Sequence, residues 1–463
     1  MRKRTKTLSV LLALSLLSGS LGCGNTQKDA GNNESSAPVP ESAAETTADT
    51  AAENEAAQEL TLKVWGGVPY ENGVGEILEG FMEKYPNVKV EYTRFTNDDA
   101  GNTKLDTALL TGEQIDVYFT YSPENVANRV AGGMAADLAD FGGDRYIEEN
   151  IGTDGVFKVD DKYYSLPTAK EPTCMMLNKS LFDKAGIPVP QEWTTGEFRE
   201  IAKKLNDPEN GIYGVYPGFY NEVFPMAIMT LGPNAWYNAD GTGANFTAPE
   251  FMLDRLSYDL IFTDKTAFPY EEAVSRQALG SWDRLFVSGN IAMALFQPWM
   301  CGTLRDQEEF PHDFVTAFAP IPVPEEGREY YNPGKMNNFM MINSKSEHKQ
   351  EAWELLKYWV EDGIEALLPY GKIPVNKNYS DPKMAAKILQ DEDGKFFDAS
   401  SFAAAALDPE MKYICNTNIT ASVAMKQIMK EESQKLLLGG QSFEEYLENI
   451  QSRCDAAIKE ANK

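Results

Sequence analysis

Residues 60–95 read LTLKVWGGVPYENGVGEILEGFMEKYPNVKVEYTRF. Leu60, Leu62 and Val64 alternate with polar neighbours up to Trp65, the pattern of a strand with one buried face, and Gly66-Gly67 breaks it. Ile77, Leu78, Phe81 and Met82 then recur at helical spacing. The helix they predict stops before Pro86, which has no N–H to continue the ladder. Residues 88–92 form a second strand. Working outward, residues 105–110 belong to a second helix ended by Gly112, and 115–119 is a short apolar run readable as a buried parallel strand. This β-α-β-α-β rhythm predicts an open sheet covered by helices on both faces. In such sheets ligands bind beyond the carboxyl ends of the strands, at switch points in strand order.

Beyond this unit the chain is richer in helix. Thr194 followed three residues later by Glu197 suits a helix start over 194–205, since each side chain can satisfy an unpaired N–H of the first turn. Residues 250–263, 349–361, 419–437 and 442–461 also show helical periodicity. Extended, proline-bearing segments occur at Leu166-Pro167, at 319–324 and at Ile373-Pro374. They can be read as three crossings between two bodies, or as three unrelated turns.

The amino-terminal end reads as an export signal. Arg2, Lys3, Arg4 and Lys6 precede an apolar run over 8–17, about 10 residues and too short for a permanent membrane span. Small residues then lead to Gly22-Cys23, which resembles a bacterial lipobox with Ser20 where an aliphatic residue is usual. Cleavage before Cys23 and acylation of that residue are what the resemblance implies. Residues 24–59 hold eight acids against one base, with Val39 as their only large aliphatic before the folded body. Such a segment cannot bury enough apolar surface to order itself and reads as an extended tether. The remaining chain, about 400 residues, is long enough for two large cores.

Removal of residues 1–22 takes away four bases and no acid, so the net charge of −28 becomes −32. That balance argues against nucleic acid or an anionic membrane surface as a partner. Cys174, Cys301, Cys415 and Cys454 show no metal-ligand spacing and define no pairing; buried free thiols are the simpler expectation. His312 and His348 stand alone, so neither a zinc site nor histidine-based catalysis is supplied. No cofactor or metal is expected.

Five segments, in order, resemble the bacterial extracellular solute-binding proteins of carbohydrate importers, the family that includes maltose-binding protein. The first is Leu62-Lys63-Val64-Trp65 with the helix ending Phe81-Met82-Glu83-Lys84-Tyr85-Pro86. The second is Gly112-Glu113-Gln114-Ile115-Asp116-Val117, a small-Gly-x-x-x-Asp-Val turn. The third and most specific runs from Asp160-Asp161-Lys162-Tyr163-Tyr164-Ser165-Leu166-Pro167 to Leu177-Asn178-Lys179-Ser180-Leu181-Phe182, with Asp183-Lys184-Ala185-Gly186-Ile187 after it. The fourth is Gly289-Asn290-Ile291-Ala292-Met293 leading to Pro298-Trp299, and the fifth Ile342-Asn343-Ser344-Lys345-Ser346 before a helix with Ala352-Trp353.

The resemblance implies a two-lobed α/β fold of the periplasmic-binding-protein kind (type II). Residues 60–169 with 321–370 would form one lobe, and 170–320 with 371–463 the other, with ligand in the cleft between them. It implies a monomeric, lipid-anchored extracytoplasmic receptor, not an enzyme, that takes a carbohydrate and hands it to an ABC importer permease.

A sugar presents hydroxyls at its rim and C–H patches on its faces, so its site needs flat aromatic surfaces and bidentate polar groups. Trp299, after Pro298, resembles the family's stacking Trp. Glu171, seven residues before Asn178, matches a carboxylate that bonds sugar hydroxyls in the family. Tyr121 and Glu124 follow the third strand, and Tyr70 and Glu71 follow the first. Tyr216, Phe219 and Tyr220 follow an apolar run over 212–215, with at least one expected in the cleft. Trp236 and Tyr237 sit in a Gly/Asn-rich turn, and Asn337 and Asn338 near a crossing. Trp193, Trp282, Trp353 and Trp359 read as core residues. The edge charges that read maltose are absent at corresponding spacing, so maltose is not the expected ligand. A polyamine, metal chelate or peptide in the same fold stays open, as does a surface glycoside hydrolase with Glu171 and Glu124 as its carboxylate pair.

Overall fold

A computed structural model describes residues 59–218, 225–379 and 382–463. The leader, Cys23, the acidic tether, Phe219 and Tyr220 lie outside the described residues. Strands β1 (Leu60–Gly66), β2 (Val88–Arg94), β3 (Val117–Thr120), β4 (Leu166–Glu171) and β8 (Lys335–Ile342) form one sheet in the order β2-β1-β3-β8-β4. β1 is parallel to β2 and β3, as the opening rhythm requires, while β8 runs antiparallel to β3 and β4. A second sheet, in the order β6-β5-β7, is built from β5 (Cys174–Asn178), β6 (Met293–Phe296) and β7 (Thr316–Ala319).

Each sheet has its own core. Leu62, Val64, Phe81, Leu356 and Trp359 pack around the first, and Met176, Phe198, Phe296, Phe318 and Phe402 around the second. A further cluster joins the two last long helices, Ser422–Leu437 and Phe443–Ala461, through Met425, Tyr446 and Ile450. All four tryptophans read as core residues are buried. Asp116 of the second motif is structural. It is buried, and its carboxylate takes the Lys63 N–H at 2.8 Å and the Ser346 hydroxyl at 2.5 Å, tying three of the recognised segments together.

The capping box is formed as expected. Thr194 Oγ1 accepts the Glu197 N–H and the Glu197 carboxylate accepts the Thr194 N–H, which opens the helix Thr195–Leu205. The helix expected over 250–263 is broken instead into a 3-10 turn, one α turn and a π turn. Within it Asp254 turns its carboxylate to the Ala227 N–H at 2.8 Å and so caps a neighbouring helix, Met226–Leu231. The helix expected to open at 419 opens at Ser422, after Ala421 in a left-handed conformation at φ 57°.

The passages between the sheets lie side by side. One is Pro172-Thr173, between β4 and β5. Another precedes β8, where Asn332 accepts the Thr173 and Gly334 N–H groups and donates to the Thr173 carbonyl at 2.9 Å. Gly334 must be glycine here, because a Cβ would stand 2.2 Å from the Glu171 carbonyl oxygen. A third is Ile373, whose carbonyl takes the Lys170 N–H at 2.8 Å. Ile321 packs in the second core, Val375 in the first. The chain returns once more: Tyr413 is buried in the first core, and the Lys412 carbonyl takes the Asn332 N–H at 2.7 Å. Among the described residues no helix is long and apolar enough to cross a membrane.

Candidate functional site

Between the first sheet and the cluster around the two last long helices lies a cavity of about 240 Å³. Tyr121, Ser122, Pro123, Glu124, Gly155, Met336, Asn337 and Phe339 line it around the first sheet, Cys415 packs on that same side against the core of Trp65 and Tyr118, and Trp236, Tyr237, Ile414, Asn416, Asn418, Ile419, Ser422 and Lys426 supply the rest of the wall. Lys335, at the start of β8, completes the lining. Five expected site residues meet here: Tyr121, Glu124, Trp236, Tyr237 and Asn337.

Each is held by its own local structure. Tyr121 follows β3; its ring stacks on Phe119 with 15° between planes, and its hydroxyl accepts the Gly67 N–H at 2.6 Å. Burial pushes that phenol up to about 12, so it stays protonated. Tyr237 donates its hydroxyl to the Thr420 carbonyl at 2.8 Å. Trp236 leans on Phe246, with ring centres 6.3 Å apart. Asn337 is 9% exposed, and its side-chain amide has no hydrogen-bond partner among the described residues. Its donor and acceptor are therefore available to a group that the protein itself does not supply.

Glu124 lies in the first turn of the helix Pro123–Ala131, where Ser122 caps by accepting the Asn125 N–H. Its Oε1 accepts from Lys426 at 2.8 Å and Ser422 at 3.1 Å. Burial pushes this carboxyl up, but the hydrogen bonds from Lys426 and Ser422 and its own N–H outweigh that and hold it below the usual carboxylate range.

The other expected residues lie elsewhere. Trp299 is 48% exposed; its indole donates to Gln297 Oε1 at 2.8 Å and meets Trp282 edge-on. Tyr70 is 44% exposed and Tyr370 45%, and the Tyr370 hydroxyl donates to the Glu71 carbonyl at 3.2 Å. Gly371, next in the chain, touches Pro298, so Trp299, Tyr370, Tyr70 and Glu71 form a second, open group. Glu171 joins the two groups. Its carboxylate stands 3.7 Å from Lys335, which lines the cavity, and 3.8 Å from Lys372, next after Gly371.

Tyr216 does not reach the cleft. It is fully buried, donates its hydroxyl to the Ala278 carbonyl at 3.2 Å and stacks on Trp282. Asn338 does not line the cavity either. It is 5% exposed and left-handed at φ 55° inside β8, and its carbonyl takes the Thr168 hydroxyl. Asparagine tolerates that conformation better than most residues, so the type is explained by the backbone.

The stretch from Ile414 to Lys426 was missed from sequence. Its place is set by Asn234, whose side chain accepts the Thr417 and Asn418 N–H groups and donates to Thr417 Oγ1. The one local signal was the polar run Asn416-Thr417-Asn418 between two helical patterns. The described cysteines are unpaired. Cys174, Cys301 and Cys454 are buried, and burial raises the Cys301 and Cys454 thiols to about 12; Cys415, half-buried in the cavity wall, is raised to about 11.

Among the described residues no group of His, Cys, Asp and Glu could hold a metal ion. The carboxylate pair of a glycosidase needs one member kept protonated. Glu124 is held ionised instead. The arrangement suits capture: aromatic walls, a free amide, and neutral phenols.

The sequence profile described as bacterial extracellular solute-binding protein matches residues 43–366, more than half of the chain. A binding protein of Brucella abortus (strain 2308) is 24% identical over 401 residues, 83% of this chain and 89% of its own. The crystal structure of a sugar transporter from Rhizobium etli, in an open conformation, aligns with a TM-score of 0.70 at 21% identity, over 86% of this chain and 99% of its own. The cyclic alpha-maltosyl-1,6-maltose binding protein of Arthrobacter globiformis aligns with a TM-score of 0.67 at 18% identity, over 87% of this chain and all (100%) of its own.

Proposed function

The chain belongs to the bacterial extracellular solute-binding proteins, which are receptors and not enzymes, and from that premise we propose that it captures a sugar or short oligosaccharide for an ABC importer. The observation that carries this reading is the unpartnered Asn337 amide in a cavity walled by Tyr121, Trp236 and Tyr237. An amide can bond a hydroxyl as donor and acceptor at once, and the rings offer faces to C–H surface. Trp299, Tyr70 and Glu71 would extend the site outward and Glu171 would bond hydroxyls between the two groups. The sugar names carried by the Rhizobium and Arthrobacter proteins point the same way.

In this reading residues 60–169 with about 321–370, and 170–320 with 371–463, are lobes that close over the ligand by rotation at the crossings, with Ile321 packed back into the second core and Val375 and Tyr413 into the first. The closed form is what the permease meets. Cys23 carries the lipid, residues 1–22 are removed on export, and the acidic segment holds the receptor off the membrane. Labelled fatty acid should enter the wild-type chain and not Cys23→Ala; incorporation into the variant sinks the anchor.

A thermal-shift series with mannitol, arabinotriose, maltotriose, spermidine and a tripeptide tests the ligand class. A sugar at 100 times its Kd should stabilise the fold by about 2.7 kcal/mol. A shift with spermidine or the tripeptide and with none of the sugars overturns the reading.

A further inference from the structure

Glu124 sits where a sugar-binding carboxylate would be sought, yet its binding capacity is already committed. Both described bonds that other residues make to its side chain come from the opposite lobe: Lys426 Nζ at 2.8 Å and Ser422 Oγ at 3.1 Å, on the helix Ser422–Leu437. Lys426 has no other described partner. The pair stands at the solvent edge of the cavity, with the Glu124 side chain 20% exposed and the Lys426 side chain 48%.

Both supports are rigid. The Glu124 helix is fixed to its own lobe by Arg129, which is buried. Arg129 bonds Asp106 at 2.7 Å, Thr120 at 2.6 Å and Asn102 at 2.9 Å, so every arm of its guanidinium is used. The Lys426 helix is packed along the helix Phe443–Ala461. A charge pair between two firmly mounted helices loses little side-chain freedom when it forms. Being partly withdrawn from water, it is also screened less than a surface pair.

We infer that Glu124 binds no ligand and is one jaw of a clasp with Ser422 and Lys426, which holds the lobes closed over the cavity. The inference rests on the closing motion proposed above. The clasp adds to closure without adding to the ligand's own contacts. Its loss therefore raises the dissociation rate of every ligand by a similar factor, whereas loss of a hydroxyl-binding group would discriminate among ligands. Residues that the clasp encloses, Trp236, Tyr237 and Asn337, exchange with solvent at a rate that it governs.

Hydrogen exchange of the full chain without ligand reads this directly. In Lys426→Met and Glu124→Gln, exchange in the peptides containing Trp236-Tyr237 and Asn337 should rise about fivefold at low salt, as loss of an exposed-to-half-buried ion pair allows. The reversed pair Glu124→Lys with Lys426→Glu should return toward wild-type exchange. At ~1 M salt the differences should shrink. Unchanged exchange in the single variants, or a reversed pair as open as either, overturns the clasp. Titration with maltotriose, arabinotriose and mannitol separates this from the function itself. If a sugar binds the wild type, and binds Lys426→Met with equal affinity, the clasp is wrong and the receptor stands. If none of them binds while exchange responds as expected, the clasp stands and the sugar reading does not.

Discussion

The two parts of the proposed site are built on opposite plans. At the enclosed end, Tyr121 and Tyr237 tie their hydroxyls to backbone partners and present neutral rings, and the Asn337 amide keeps its hydrogen-bonding capacity. At the open end, Trp299, Tyr370 and Tyr70 are nearly half exposed. Trp299 is steadied from below by a ladder that ends in the second core, Trp299 on Trp282 on Tyr216. The first end gives direction, since a hydrogen bond fixes orientation. The second gives area, since stacking tolerates rotation and sliding. A receptor with both can hold one ring firmly and accept variety in the rest of the ligand.

The sharpest way to break this contrast is at the brace. Trp282 is 4% exposed and donates its indole N–H to the Leu295 carbonyl at 2.7 Å. Trp282→Ala should cost about 3–5 kcal/mol of stability in a urea titration, as buried tryptophans do. It should also weaken sugar binding by leaving Trp299 unsupported. A small stability loss would mean that the ladder does not bear on the core.

Trp299→Ala tests the platform itself. Stacking and buried area together predict a binding loss of about 2–4 kcal/mol, roughly 30- to 1000-fold in calorimetric titration. Stability should move by less than ~1 kcal/mol, because the ring is already half in water. Wild-type affinity in this variant would leave binding to the enclosed end alone.

Asn337→Leu gives the smallest effect and the most specific one. Sugar affinity should fall by about 1–3 kcal/mol, the worth of a hydrogen-bonding group in a dry site. Stability should hold or rise, because the substitution breaks no described hydrogen bond of that side chain and places an apolar side chain at a mostly buried position. A variant that loses stability and keeps affinity would place Asn337 in the scaffold.

The features readable in the sequence were local. The first sheet's β-α-β-α-β rhythm, the Thr194–Glu197 capping box and the four core tryptophans all come from period and spacing within a few residues. The site was readable only where it sits just past a strand or in a marked turn, as with Tyr121 and Trp236-Tyr237. Tyr216 and Asn338 looked similar on paper. Which face a residue takes, however, depends on register and on one left-handed backbone position, neither of which a pattern carries. The wall from Ile414 to Lys426 was invisible because its position is decided by Asn234, 183 residues away in the case of Thr417. For Glu124, type and place were legible and its commitment to a partner was not.

Cys415 makes this molecule a ready-made reporter. Among the described cysteines it alone is not fully buried, and it stands in the cavity wall next to Asn416, packed against the same core as Tyr121. Its thiol, raised to about 11, is almost wholly protonated at neutral pH and slow to oxidise. A maleimide fluorophore attached at mildly alkaline pH would sit where ligand displaces water, and its emission would register occupancy without any engineered cysteine.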